Sequence, residues 1–442
     1  MRKNLLPACK SVTIAMLLIL VAQLGAGSLA HNPSDRKGDY EVWIMDQSDT
    51  APDGGGTLYI YQGRDLNGHH AEDAAPEVID LGGEARDFCI DRTGSAPRRP
   101  HMMFFNEDHS RAIISFVATG HVLFMNAKKR RPVGVVDVGV QAHAAVPSPD
   151  DSFVIVADQN GKKLHRIMTD YDTNTFTLES AATLDLGGCT TPSGAPCEDA
   201  ALRPDNAPIC PDFDESGQFV FVTLRGGGML VVDTLATPMA IVAEYDKDTV
   251  SPNGCGGVHL DGKIYIDAGG GTAANPLVSA LYSFPLNAFS TRPNTPNTPA
   301  PNVIFNRNGL GFVDSHGMVL TKKNRYLWVA DRAANRIVVV ETATDQVVNE
   351  IDLVGELTGD PAPDLLDRSP TGNRIFMALR GPNPLTGNAP GVNNAVGSSP
   401  GLGIVRVEQG GRNGVLEAIA PINHIVDGVQ RADPHGIAVR VK

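Results

Sequence analysis

Four short apolar runs follow one another between residues 315 and 353: Ser315-His-Gly-Met-Val-Leu320, Arg325-Tyr-Leu-Trp-Val-Ala-Asp331, Asn335-Arg-Ile-Val-Val-Val-Glu341 and Val347-Val-Asn-Glu-Ile-Asp-Leu353. Runs of this length that are rich in β-branched residues are typical of β-strands, and the short polar connections leave room only for hairpins. A four-stranded unit of about 40–45 residues has the size of one β-propeller blade.

The same pattern recurs along the rest of the chain. Five further units begin near His101, His143, Ile209, Gly254 and Leu365. Three longer insertions interrupt the pattern, and because the repeat resumes after each of them we interpret them as surface loops: residues 189–206, 290–302 and 380–402.

The two ends of the chain together supply one more unit. The N-terminal copy starts on a second strand, Tyr40-Glu-Val-Trp-Ile-Met-Asp46, and Asp433-Pro-His-Gly-Ile-Ala-Val-Arg440 matches the first strand of the unit quoted above. Pairing of these two segments would close the ring and remove its open edges. We therefore predict an all-β fold, a seven-bladed β-propeller closed by the C-terminal strand joining the N-terminal blade, as a single domain over residues 31–442.

Two segments resemble a known repeat family. Phe153-Val-Ile-Val-Ala-Asp-Gln-Asn160 and the run from Trp328 to Val348 are similar to the YVTN-type repeat, in which a strand, an Asn-containing turn, a second strand and an Asp/Glu-Thr-x-Thr turn follow one another. The resemblance implies a lactonase-like seven-bladed propeller. It implies little about function, because this group includes lactonases, surface-layer proteins and binding proteins.

The first thirty residues have the pattern of a signal peptide. A basic start with Arg2, Lys3 and Lys10 precedes an apolar core from Val12 to Ala26, and Ser28-Leu-Ala30 is a small-x-small cleavage site. The apolar run is too short to be a membrane span. We therefore expect a secreted or periplasmic protein, whose formal charge falls from −13 to −16 when the three basic residues are removed. Such an acidic chain is not expected to bind nucleic acid.

Histidine occupies the start of the first strand in four units: His101, His143, His316 and His435. First strands line the channel of a propeller, so these imidazoles should converge and could hold a transition metal such as copper or zinc. Asp314 and Asp433 each precede a histidine by two residues, and we expect them to accept the imidazole N–H as second-shell groups. Alternatively, each imidazole bonds a backbone carbonyl of the next blade. The other units place Ile209, Gly254 and Leu365 near this position, with Asp212 and Asp364 close by.

Five cysteines follow the signal segment, and disulfides are the usual state of cysteines in an exported protein. Cys189 and Cys197 bracket a short loop that a disulfide could close. Cys210 and Cys255 lie next to the histidine position in consecutive units, so a disulfide, two buried thiols and a pair of soft metal ligands all remain open. Cys89 has no obvious partner.

Three functions are compatible with these features. The first is an exported propeller that binds a small molecule, metal or protein partner at the histidine-lined mouth of its channel. The second is a copper- or zinc-dependent oxidoreductase or lyase. The third, a lactone hydrolase, rests on the family resemblance alone, and no catalytic residues can be assigned from it.

Overall fold

Antiparallel sheets, six of four strands and one of five, form seven blades in the computed structural model, which describes residues 39–68, 70–270, 277–291 and 298–442. The expected signal segment lies outside these residues. Blade 1 takes β1 (Tyr40–Asp46), β2 (Thr57–Gln62) and β3 (Glu77–Asp80) from the N-terminal side of the chain. A helix that the sequence pattern did not predict, α1 (Arg86–Thr93), separates blade 1 from blade 2.

The remaining strands follow in chain order. Blade 2 contains β4 (Pro100–Phe105), β5 (Arg111–Phe116), β6 (His121–Asn126) and β7 (Arg131–Asp137). Blade 3 contains β8 (Ala142–Pro147), β9 (Phe153–Asp158), β10 (Lys163–Asp170), β11 (Thr175–Leu178) and the short β12 (Leu184–Asp185). Blade 4 contains β13 (Pro208–Phe213), β14 (Phe219–Leu224), β15 (Met229–Asp233) and β16 (Ala240–Tyr245), and blade 5 contains β17 (Gly257–Leu260), β18 (Lys263–Ala268), β19 (Ala280–Pro285) and β20 (Asn302–Asn306).

Blade 6 is the four-stranded unit that the sequence predicts between residues 315 and 353. It contains β21 (Ser315–Leu320), β22 (Tyr326–Asp331), β23 (Arg336–Glu341) and β24 (Gln346–Asp352). Blade 7 contains β25 (Pro363–Arg368), β26 (Arg374–Leu379), β27 (Gly401–Glu408) and β28 (Asn413–Pro421), and a small hairpin, β29 (Ile425–Val426) and β30 (Val429–Gln430), leads to β31 (Pro434–Val441).

The predicted ring closure is confirmed. Strand β31 pairs antiparallel with β1, with Val42 opposite Val439, and so becomes the first strand of blade 1. The first strands of successive blades contact one another all the way round the ring. The seven-bladed propeller of the prediction is therefore the observed architecture.

The hydrophobic pattern explains why the sheets stack in this way. The second strand of a blade has a sheet on both faces, and all six residues of β9, β14 and β22 are buried. Such strands read as continuous apolar runs, whereas the outer strands β7 and β24 are partly exposed and more polar. Most core clusters lie between two neighbouring blades, as where the ring of Tyr40 lies 6.0 Å from that of Phe376, and one smaller cluster joins the first strands of blades 2 to 5 at the channel.

The turns of blade 6 account for the repeat signature. Asn335 has a φ of 56° and Asp345 a φ of 54°, in the left-handed region that Asn and Asp tolerate better than other residues with a side chain. These turns return the chain after β22 and β23, and so keep the four strands in one sheet.

Candidate metal centre

One position recurs in the first strand of every blade, and the strand register identifies it. In each blade the third residue from the end of the second strand pairs with a first-strand residue, and the recurring position lies two residues before that partner. For example, Val329 pairs with Met318, which identifies His316. The same rule applied to the other blades gives His101, His143, Ile209, Cys255, Asp364 and His435.

This register corrects the sequence alignment in two blades. Cys255, not Gly254, occupies the position in blade 5, and Asp364, not Leu365, occupies it in blade 7. Most first strands have an irregular register here, as between Pro363 and Leu366. In blade 7 the bulge shifts the count by one residue without changing the apolar pattern, and in blade 5 Cys255 precedes the short strand β17, so the sequence alone could not place these residues. Six of the seven positions thus hold a side chain that can ligate a metal.

The structure brings the four predicted histidines together as two pairs. The Nε2 atoms of His101 and His143 are 3.2 Å apart, and those of His316 and His435 are 3.3 Å apart. The pairs are adjacent, because the rings of His101 and His435 stack with their centroids 3.8 Å apart. Two nitrogens that share one tetrahedral ion at 2.0–2.1 Å are about 3.3 Å apart, so each pair already has a suitable separation.

Hydrogen bonds at Nδ1 determine the tautomer of two of these imidazoles. The amide of Gln47 donates through Nε2 to Asp433 (2.9 Å), which leaves its Oε1 to accept from Nδ1 of His101 at 2.8 Å. Nδ1 of His435 donates to the backbone carbonyl of His101 at 3.1 Å. The alternative of a bond to the next blade is therefore present for His435. These Nδ1 bonds do not compete with metal ligation, because they leave the Nε2 lone pairs of His101 and His435 directed at the neighbouring imidazoles.

Asp364 completes a group of three ligands with one histidine pair. Its Oδ1 lies 3.0 Å from Nε2 of His316, and its Oδ2 lies 3.8 Å from Nε2 of His435. One ligand atom from each of the three buried residues lies within 4.8 Å of the other two. Two imidazoles and one carboxylate form a donor set known from zinc and non-haem iron sites. His101 and His143 lie beside this group rather than within it.

A chain of five buried charges continues from Asp364. Arg332 bonds Asp314 (2.8 Å) and Asp364 (3.2 Å), and Arg380 bonds Asp364 and Asp433 (2.7 Å). All five side chains are fully buried. Three carboxylates face two guanidinium groups, so the chain has one surplus negative charge next to the imidazoles when all three are ionised, and burial raises the pKa of Asp314 and Asp433 to about 6. A bound cation would balance this charge.

The second-shell role expected for Asp314 and Asp433 is not observed. Both carboxylates bind arginine rather than the histidine two residues later, and Asp314 also accepts from Nδ2 of Asn394 at 2.7 Å. Residues i and i+2 share a side only on a regular strand. Asp314 precedes β21, and the register of that strand shifts between Ser315 and Met318.

Burial keeps the imidazoles neutral. It lowers the pKa of His143 to about 4 and that of His435 to about 3. It also lowers the pKa of His101 and His316 well below the usual value, with added repulsion from nearby positive groups. Burial opposes ionisation of Asp364, but the neighbouring imidazoles and the two guanidinium groups hold its pKa below the ordinary value. Neutral imidazole and ionised carboxylate are the forms that ligate metals.

A cavity of about 460 Å³ opens above the ring and reaches both histidine pairs, since His143 and His316 line it. The long loop between β26 and β27 forms one wall with residues 385–390. Hydrogen bonds fasten this loop to the buried charges: the backbone N–H of Leu385 donates to Asp433 at 2.7 Å, and Arg380 donates to the carbonyl of Thr386 at 2.8 Å. The predicted insertion is thus part of the candidate site.

The cysteines in the described part of the chain form two disulfides. Cys189 is joined to Cys197 in the loop that they bracket, and Cys210 is joined to Cys255 near the channel axis. Cys89 is a buried free thiol. The sulfur atoms of the channel pair lie within 4.8 Å of a ring nitrogen of His143.

Comparison with known proteins supports the architecture. The sequence matches no family model and no curated protein. A hypothetical selenium-binding protein from Sulfolobus tokodaii has a similar structure, with a TM-score of 0.60, 9% identity and coverage of 91% of this chain and 93% of that one. The periplasmic gluconolactonase PpgL from Pseudomonas aeruginosa has a TM-score of 0.51, 13% identity and coverage of 91% and 100%.

The chain shares its fold with these proteins. A Lactobacillus plantarum protein with a TM-score of 0.53 and 11% identity, covering 90% of this chain and 99% of that one, is also similar. At such low identities the likeness extends to the fold alone. None of the helices in the described part of the chain is long and apolar enough to cross a membrane.

Proposed function

We propose that this propeller is an exported protein that binds a transition-metal ion, copper or zinc, in its channel. The ligands are Nε2 of His316, Nε2 of His435 and the carboxylate of Asp364. The observation that supports this most directly is the convergence of these three buried ligand atoms within 4.8 Å of one another. Two disulfides agree with an oxidising compartment.

The surroundings of the three residues favour a cation over an empty polar cluster. The charge chain through Asp364 has one carboxylate more than it has guanidinium groups, and burial holds the imidazoles in the neutral form. Nδ1 of His316 is buried and has no hydrogen-bond partner among the described residues, so the neutral ring donates from Nε2 to Asp364 at 3.0 Å, and a metal ion between the two would take the place of that proton. An apolar or fully paired cluster would lack these features.

The large cavity suggests that the ion is accessible to a small molecule. His316, one of the proposed ligands, lines that cavity. Metal sites that act on a substrate keep a coordination position open, whereas purely structural zinc sites are closed by four protein ligands. Three protein ligands beside a cavity therefore fit a binding or catalytic ion, and a metal-dependent oxidoreductase or lyase remains the enzymatic form of this proposal.

A lactone hydrolase has weaker support. The gluconolactonase from P. aeruginosa shares the fold, but no hydrolytic residues can be transferred at 13% identity. Gly397-Ser-Ser-Pro-Gly401 has the Gly-x-Ser-x-Gly spacing, yet it runs from a loop into β27 rather than from a strand into a helix. It therefore lacks the context of a nucleophile elbow.

Elemental analysis tests the metal proposal. The mature chain, purified without a His-tag, is incubated with Zn(II) or Cu(II), desalted and analysed, and we expect about one tightly held ion per chain. The double variant His316→Ala/His435→Ala should lose it. His165→Ala is the matched control, because it removes a buried imidazole outside the channel, where Nδ1 contacts Thr183 (3.1 Å). Equal metal content in the double variant and the wild type would refute the proposal.

A further inference from the structure

We propose a second metal site in the channel, specific for copper(I) and available only when the Cys210–Cys255 disulfide is reduced. Its ligands are the two thiolates and a ring nitrogen of His143. The site shares no ligand with the one proposed above, so it goes beyond that function.

The position of the three residues carries the inference. Cys255 occupies in blade 5 the recurring position that holds histidine in four other blades, and Cys210 follows that position in blade 4. The two sulfur atoms and a nitrogen of His143 lie within 4.8 Å of one another, and all three residues are buried. A disulfide needs only its two partners, and nothing in that role requires an imidazole beside it.

A second, smaller cavity in the channel is lined by side chains that suit a soft metal ion. Its volume is about 120 Å³, and both cysteines line it together with three methionines, Met102, Met103 and Met318, and with Asp212. Thiolate and thioether sulfur are the ligands that select copper(I). Sulfur-containing residues thus line much of this cavity, whereas nitrogen and oxygen donors form the first site.

The redox step balances with a dithiol as the reductant. The dithiol gives two electrons and two protons to the disulfide, which becomes two thiols, while the dithiol itself becomes a disulfide. Binding of copper(I) then releases the thiol protons, because the thiolate is the ligating form. In the oxidised chain the two sulfur atoms are bonded to each other and the site is closed.

The experiment uses the other disulfide as an internal control. Cys189→Ser/Cys197→Ser leaves the channel pair as the only disulfide among residues 39–442 that the structure describes, and thiol titration verifies that a dithiol reduces it. Copper(I) bound per chain is then measured anaerobically, in competition with bathocuproine disulfonate, before and after reduction. We expect an increase of about one copper(I) per chain and sulfur neighbours in the X-ray absorption spectrum.

Three further variants decide the assignment. Cys210→Ser/Cys255→Ser should abolish the increase, and His143→Ala, which keeps both thiols, should weaken the added copper at least about 10-fold. His316→Ala should retain the increase even though it removes the first site. Should the Cys189→Ser/Cys197→Ser chain fail to fold, the same comparisons are made in the wild-type background. No increase after verified reduction, or an increase that survives loss of both channel cysteines, would overturn the proposal.

Discussion

Oδ1 of Asp364 lies 3.0 Å from Nε2 of His316, across the seam between blades 7 and 6. The same carboxylate contacts Arg332 and Arg380, so it links the candidate ligands to the buried charge chain. The carboxylate of Asp364 therefore stabilises the buried charges of the channel and is also a ligand in the proposed metal site.

Asp364→Asn should reduce both properties. The amide keeps the size of the side chain but removes the charge that faces two guanidinium groups, and breaking a buried ion pair from one side costs on the order of 3 kcal/mol. Metal affinity should fall at least about 10-fold, because a carboxylate ligand is lost. Urea unfolding and metal competition measure the two effects. Asp172→Asn, an exposed carboxylate, should change neither.

The glycine after His316 allows the close approach of these two blades. A Cβ on Gly317 would lie 2.5 Å from the backbone oxygen of Asp364 and 2.7 Å from Cα of Leu365. Backbone atoms cannot move aside as a flexible side chain can, so Gly317→Ala must push strand β25 away from β21.

We expect Gly317→Ala to lower the free energy of unfolding by about 1–3 kcal/mol, the usual cost of overpacking. It should also weaken metal binding, because Asp364 moves with its strand. Gly355→Ala is the control, since a Cβ there meets no atom within 4 Å. An unchanged melting temperature and unchanged metal affinity in Gly317→Ala would show that the strands are not held this closely.

The architecture could be predicted from the sequence alone, because each blade repeats the same apolar pattern. The match between Asp433–Arg440 and the start of blade 6 predicted the pairing of β31 with β1, and it predicted that His435 would meet the other histidines. Such repeated positions face the same axis in any propeller, so long-range proximity could be deduced from local pattern.

The candidate ligand set was predicted only in part. Asp364 was not assigned to the recurring position, because a bulge shifts the register of β25 and leaves no trace in the apolar pattern. Cys255 was missed because it lies before the short strand β17. The arginine partners of Asp314 and Asp433 directly follow the second strands of blades 6 and 7, and these contacts between residues distant in sequence could not be predicted from a local pattern. One signal was available: Pro363-Asp364 has the same spacing in its blade as Pro100-His101 and Pro434-His435.

Glu41 makes stability depend on pH. Burial alone would raise its pKa, but hydrogen bonds from Arg130 (2.6 Å), Trp43 (3.0 Å) and Arg440 (3.1 Å) lower it to about 2. A carboxyl whose pKa is depressed on folding contributes stability above its ordinary pKa of 4.5 and loses it as the pH falls towards 2. The loss should be on the order of 2–3 kcal/mol.

Glu41→Gln should make the free energy of unfolding less dependent on pH in the acidic range. Unfolding free energy measured by urea titration between pH 5 and about pH 2 should fall less steeply in the variant than in the wild type. Glu356→Gln, an exposed carboxyl, should keep the wild-type slope. Identical slopes in Glu41→Gln and wild type would place the acid sensitivity elsewhere.

The closing strand can be tested by removing it and adding it back. A chain that ends at Ala432 lacks β31, so β1 exposes an unpaired edge and Arg380 loses Asp433. Exposed edges pair with other chains, and we therefore expect aggregation and no cooperative thermal transition. Deletion of Lys442 alone leaves β31 (Pro434–Val441) intact and should be nearly neutral.

A synthetic peptide of residues 433–442, present in large excess during refolding, should restore the transition of the truncated chain by filling the vacant edge. The same peptide with His435→Ala should restore folding but not metal binding, because it replaces the strand without the imidazole. Circular dichroism follows the first effect and elemental analysis the second. Folding of the truncated chain without any peptide would contradict closure by β31, and full metal binding with the alanine peptide would exclude His435 as a ligand.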